Sequence, residues 1–172
     1  MDKRGRKTLK SIETTFNQLL LEKSFDAITV TDICDTADIS RKTFYTYYAD
    51  KYELIDSLAS ESLTDLDELS HGDANVPTET RIAIWFNYVQ EHKKLLYVLF
   101  TTDSSYSFRL KFLQYLMDSL SKHGAFSKNT INLQFYAHGV LGVVEAFVSD
   151  KIQATPEEIA KDLEKKIPMQ DM

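Results

Sequence analysis

The stretch ISRKTFYTYYADK, Ile39 to Lys51, decides the reading of this chain. It places four aromatic rings and three cationic side chains in thirteen residues of an otherwise acidic sequence. Stepping about 100° per residue along a helix that opens after Ser40, Phe44 and Tyr48 fall within about 40° of each other. Ile39 and Ile33 can pack beneath them. Lys42, Thr43, Thr46 and Tyr47 spread over the opposite side, and each carries a hydrogen-bond donor. Tyr45 and Arg41 sit at the margin. A helix built only to pack has no use for such a donor face, whereas a helix lying in a DNA major groove does. Lys51 follows Tyr47 by four residues, a place suited to a phosphate together with the first amides of the next helix.

Working outward, the neighbouring segments carry helix punctuation. Thr29 reads as the N-cap of a short helix from Val30 to about Ala37, with Asp32 at the third position where the helix dipole favours a negative charge. Asp38 reads as the turn residue, since Asp tolerates the left-handed region better than most. Ser40 caps the helix that ends near Tyr47, and Asp50 caps a long one from Lys51 to about Leu69. Upstream, Leu9, Ile12, Phe16, Leu19 and Leu20 recur at three- and four-residue spacing, which makes Thr8 to Leu21 one amphipathic helix before SFDAIT breaks the pattern. Downstream, SHGDANVP (70–77) is the clearest loop and lies near the expected domain boundary. Five further helices follow, beginning near Pro77, Lys93, Ser104, Ser127 and Thr155. The last opens with a cap-then-proline pair, Thr155–Pro156. The expectation is an all-α chain of about nine helices, with no strand, repeat or low-complexity tract.

A longer helix followed by two short ones joined at a tight turn is the helix-turn-helix pattern. AITVTDICDTADISRKTFYTYYADKYELI, Ala27 to Ile55, resembles the DNA-binding signature of TetR-family transcriptional regulators, with Thr29, Ile33, Ala37, Ile39, Ser40, Thr43, Phe44, Tyr45, Tyr47, Tyr48, Lys51 and Leu54 each of the expected type. Asp38 departs from the glycine that the family often has in the turn. The resemblance implies a DNA-binding domain at 1–52 and a helical ligand-sensing and dimerisation domain at 53–172. It implies that Thr29 and Thr31 contact phosphate, that Arg41, Lys42, Thr43 and Thr46 face bases, and that Tyr45, Tyr47 and Lys51 grip the DNA backbone. The basic segment Lys3, Arg4, Arg6, Lys7 is either a solvated tail or an arm that enters the minor groove or tracks phosphate.

For the second domain the resemblance implies a small-molecule effector and a homodimer in which the last two long helices form a four-helix bundle with a partner. Gly139, Gly142 and Ala146 form a small-residue stripe that lets helices approach closely, with Val143 and Phe147 beside it, and Ile159 and Leu163 line one face of the final helix. These seven residues are the expected dimer interface. Trp85, Tyr88, Phe100, Phe112, Tyr115 and Phe135 are the expected pocket residues in an aromatic-rich domain, although single rows of this kind are more often core. The expected function is a ligand-responsive repressor, working as a homodimer on a palindromic double-stranded DNA operator, with a ligand tilting the long helix at Lys51–Leu69. An activator or adaptor that works through a protein partner is the alternative.

The bulk numbers agree with this reading. The chain has 172 residues, 43% of them hydrophobic and 27% charged, and a net charge of −6. That charge is uneven: residues 1–51 carry nine basic against eight acidic side chains, and the remaining 121 carry eleven against eighteen. A polyanion therefore meets the N-terminal part. The N-terminus has no apolar segment of the signal-peptide kind, and the richest apolar run, VLGVVEAFV, reads as too short for a membrane span, so the expected place is the cytoplasm. One cysteine, Cys34, excludes an internal disulfide. His92, His123 and His138 have no ligand spacing, and neither a Gly-rich phosphate loop nor a nucleophile elbow is present, so no metal, cofactor or enzymatic activity is expected.

Overall fold

A computed structural model describes residues 3–70, 76–101, 105–123 and 130–167. The loop expected at 70–77 lies mostly outside them, as do the side chains of Tyr106 and His123. Among the described residues the chain forms nine α-helices and one 3₁₀ turn, with no strand. Two compact units divide it, residues 1–61 and 62–172.

The first unit contains α1 (Lys3–Glu22), the 3₁₀ turn (Phe25–Ala27), α2 (Val30–Ala37), α3 (Arg41–Tyr47) and the first part of α4 (Lys51–Ser70). Its short helices are held at their ends by side chains. Thr29 and Asp32 form a reciprocal capping box at α2, the Thr29 oxygen accepting from the Asp32 amide at 3.1 Å and the carboxylate accepting from the Thr29 amide at 2.7 Å. The Ser40 hydroxyl accepts from the Thr43 amide at 3.0 Å. Asp50 accepts from the amides of Tyr52 and Glu53 at 2.8 and 2.9 Å. Asp38 adopts the left-handed conformation, with φ 52° and ψ 49°, and the Ile39 amide closes the turn on the Cys34 carbonyl at 3.0 Å. Ile12, Phe16, Ile33, Phe44 and Leu54 are fully buried beneath these caps, and Cys34 is buried with its thiol pushed up by desolvation. One boundary differs from expectation. α1 begins at Lys3 instead of Thr8, because Lys and Arg are good helix formers and the Thr8 hydroxyl donates back to the Arg4 carbonyl at 3.1 Å instead of capping. The basic segment is helical, neither a tail nor an extended arm.

The second unit contains the end of α4 and α5 (Thr78–Glu91), α6 (Lys93–Thr101), α7 (Ser105–His123), α8 (Ile131–Val148) and α9 (Pro156–Glu164). α5 and α9 pair antiparallel. The Glu79 amide donates to Glu164 Oε1 at 3.1 Å at one end, and Asn87 Nδ2 donates to Glu157 Oε1 at 3.3 Å at the other. α7 and α8 also run antiparallel, tied by Arg109 Nε to Glu145 Oε1 at 3.0 Å and by Gln134 Nε2 to Met117 Sδ at 3.2 Å. Between α6 and α7, Phe100, Phe108 and Phe112 pack edge to face or tilted, with Phe100 centred 5.0 Å from Phe108 and 5.2 Å from Phe112. By length and mean hydropathy (1.2) α8 could cross a membrane, contrary to the sequence reading. Seven of its residues, Leu133 to Val148, are instead buried, and the helix packs against α5, α6 and α7.

Candidate nucleic-acid interface

The two sides of α3 separate as its periodicity demands. Phe44 is fully buried, and Tyr48, its C-cap residue, is 5% exposed with its hydroxyl donating to Glu13 Oε1 at 3.0 Å. Burial pushes the Tyr48 phenol up to about 12 and raises the Glu13 carboxyl above its ordinary value. That bond ties the end of α3 to α1.

On the other side Arg41, Lys42 and Thr46 are exposed, Tyr45 is 49% exposed, and Thr43 and Tyr47 are half-buried. The Thr46 hydroxyl donates to the Lys42 carbonyl at 3.0 Å, and Thr43 shares a 2.9 Å hydroxyl contact with Ser40. The Arg41 guanidinium donates to the Tyr45 hydroxyl at 3.4 Å, which presents the two side chains as one polar edge. Two cations and two hydroxyls on successive turns suit base edges, and the flanking phenols suit phosphate oxygens.

Two of the expected phosphate contacts are occupied otherwise. Lys51 Nζ donates to three carbonyls, Ile28 at 2.8 Å, Phe25 at 2.9 Å and Asp26 at 3.1 Å, and lies 4.6 Å from the Phe25 ring centroid. An ammonium has three protons, so Lys51 closes the α1–α2 connection and has none left for DNA. The Thr29 hydroxyl donates to Asp32 Oδ2 at 2.7 Å, so its proton completes a cap although the residue is exposed. Asp32 also pairs with Lys23 Nζ at 2.9 Å, and these hydrogen bonds, from Lys23 first, bring its carboxyl down to about 2. Thr31 is exposed in the first turn of α2. Lys3, Arg4, Arg6 and Lys7 are exposed in the first two turns of α1, with no acid in the first turn, a placement of cations that the helix dipole disfavours unless an anion answers them.

In the second unit the expected pocket residues scatter. Trp85 and Tyr115 line an apolar cavity of about 110 Å³ with Phe86, Leu116, Val140 and Ile167. Phe100 and Phe112 belong to the aromatic core instead, and Tyr88 donates to Asp65 Oδ2 at 2.9 Å while stacking on His92. Phe135 is 72% exposed, on the outer face of α8, and does not line this cavity. Arg81 and Ser119, which do line the cavity, were legible only as four-residue spacings, Arg81–Trp85 and Tyr115–Ser119. The expected dimer residues also divide. Gly139 and Gly142 are exposed, with open space where a Cβ would stand, and Val143 and Ala146 are half-buried. Phe147 and Ile159 are buried inside the chain because α8 and α9 both pack on α5, and Leu163 lines the cavity. Among the described residues no three His, Cys, Asp or Glu side chains gather into a metal site.

A helix-turn-helix unit followed by a second, wholly helical unit defines a class of transcriptional regulators. Residues 17–58 match the family described as bacterial regulatory proteins, tetR family, and residues 78–168 match the transcriptional regulator C-terminal region of TetR proteins. The chain belongs to the TetR family. The dhaKLM operon transcriptional activator DhaS of Lactococcus lactis is 24% identical over 99 residues, which cover 58% of this chain and 52% of that protein. The uncharacterized HTH-type regulator YxbF of Bacillus subtilis is 33% identical over 67 residues, 38% of this chain and 18% of that one. The matched stretches thus span about half or less of these relatives. Among solved structures, a dihydroxyacetone kinase operon activator DhaS superposes with a TM-score of 0.71 at 19% identity, covering 92% of this chain and 93% of the other. A TetR-family regulator from Syntrophomonas wolfei gives 0.72 at 18%, covering 94% and 93%. These two establish the fold.

Proposed function

We propose that this TetR-family regulator binds a palindromic DNA operator as a homodimer, through the exposed polar face of α3, and releases it when a small molecule occupies the second unit. The observation that carries the DNA-binding step is the split of α3, with Phe44 and Tyr48 buried and Arg41, Lys42 and Thr46 exposed on the other side. Residues 1–52 serve as the DNA-binding domain and 53–172 as the regulatory one. Arg41, Lys42, Thr43 and Thr46 meet bases; Tyr45, Tyr47 and Thr31 meet the backbone. The basic start of α1 adds phosphate contacts, which makes binding salt-sensitive.

The second copy docks on the outer face of α8. Ile131 (88% exposed), Phe135, Gly139 and Gly142 repeat at helical spacing along it, and Leu110 on the adjoining α7 is 50% exposed. Large side chains beside glycines give a surface of knobs and hollows that a two-fold axis can match to itself. The chain acts in the cytoplasm and carries no catalytic role. Activation instead of repression is favoured by one observation, the likeness to an operon activator. A band shift with DNA from upstream of the chain's own gene tests the DNA-binding step. Sequence-specific binding that weakens with salt supports it, and its absence at low salt contradicts it. Transcription from that DNA, with and without the protein, separates repression from activation.

A further inference from the structure

The cavity of the second unit is apolar except for three side chains, Arg81 on α5 and Tyr115 and Ser119 on α7. Tyr115 is already committed: its hydroxyl accepts from Trp85 Nε1 at 2.9 Å and donates to the Leu66 carbonyl at 2.9 Å. Arg81 is different. It is half-buried, and its one hydrogen-bond partner among the described residues is the Thr78 hydroxyl at 3.2 Å. The other arginine beyond residue 80, Arg109, is paired with Glu145. Glu164, the α9 carboxylate that reaches the start of α5, accepts from the Glu79 amide and not from Arg81. The Ser119 hydroxyl has no partner among the described residues. A guanidinium without a carboxylate costs free energy beside an apolar surface, and it also sits in the first turns of α5, where the helix dipole adds to the positive potential. An anionic group on the occupant answers both.

Volume limits the rest of the occupant. The cavity measures about 110 Å³, well under the roughly 300 Å³ at which drug-sized pockets begin, and a dry cavity of about 150 Å³ holds benzene. Apolar walls from Trp85, Phe86, Leu116 and Val140 offer nothing to a sugar or a phosphate ester. We infer that the effector is a compact monocarboxylate with a short branched tail smaller than a benzene ring, its carboxylate held by the forked N–H donors of Arg81 and the hydroxyl of Ser119 and its tail in the cavity. This rests on the reading of the chain as ligand-responsive, and it adds the chemistry that reading lacks. Arg is suited to the role because its planar donors match a carboxylate two at a time.

Isothermal titration calorimetry of the full chain, without DNA, tests it with isovalerate and isobutyrate, each against its neutral amide. The expected result is binding of at least one acid, about tenfold or more tighter than its amide, with that preference abolished in Arg81→Met. The acid–amide comparison on the unaltered protein stands even if Arg81→Met fails to fold. Failure of both acids to bind, amides that bind as well as the acids, or an Arg81→Met chain that keeps the preference would each overturn the assignment. A band shift with the same acids separates the two readings. An acid that binds but leaves DNA affinity unchanged supports the site and removes the ligand-responsive reading. A chain released from DNA by a neutral molecule alone keeps that reading and overturns the carboxylate.

Discussion

The two units of this chain hide their logic in different places. In the first, the contacts that set the helix ends lie a few residues apart: Thr29 with Asp32, Ser40 with Thr43, Asp50 with Glu53. In the second, the contacts that place the cavity and pair its helices join residues dozens of positions apart, as between Trp85 and Tyr115 or Glu79 and Glu164. A cap is a local contract between a side chain and the amides just after it. An apolar stripe only states that something covers it. Phe112 and Phe135 look alike in sequence, yet one is fully buried and the other is 72% exposed.

Variants that cut each kind of interaction sharpen the contrast. Phe44→Ala removes a fully buried ring from the first unit and is expected to cost about 3–5 kcal/mol. Thermal unfolding followed by circular dichroism reads it. If DNA binding vanished while melting stayed unchanged, the ring would be a contact and not core. Phe135→Glu places a charge on the outer face of α8 and is expected to turn the proposed dimer into a monomer with helix content preserved. Sedimentation at micromolar concentration reads the mass, and an unchanged dimer would move the interface elsewhere.

Lys51→Met keeps an unbranched apolar stem but leaves three carbonyls without their ammonium. A loss of about 1–3 kcal/mol in stability is expected, carried into DNA affinity only through folding. Weaker DNA binding at unchanged stability would return Lys51 to phosphate. The smallest effect concerns Asp32, whose folded-state carboxyl lies at about 2 against an ordinary 3.8. A depressed carboxyl stabilises the fold above its ordinary value, and that contribution drains away as pH falls from about 4 towards 2. Acid titration of Asp32→Asn is expected to show a shallower loss of stability over that window than the unaltered chain. Equal slopes would mean that the Lys23–Asp32–Thr29 cluster contributes nothing.

The same contrast explains what the sequence made legible. The bounds of α2 and α3, the start of α6, the αL turn at Asp38 and the buried side of α3 were all readable, because caps, turn residues and periodicity are written locally. The start of α1 was missed because the apolar spacing that marks the helix begins only at Leu9, and the polar turns before it carry no such signal. Lys51 was placed on phosphate because nothing in its neighbourhood announces the carbonyls of Phe25 to Ile28, more than twenty residues upstream. Phe147 and Ile159 were assigned to a partner because a stripe does not say whether its cover comes from the same chain.

The central claim is that the outer side of α3 reads base sequence. It is tested most directly by selecting preferred sites from random duplex DNA with the unaltered chain and with Lys42→Ala and Arg41→Ala, at matched salt. The account predicts a palindromic site for the unaltered chain. It also predicts relaxed preference at one position per half-site in at least one variant, equivalent to about 1–3 kcal/mol for a bidentate base contact. Identical preferred sites from all three proteins would contradict it.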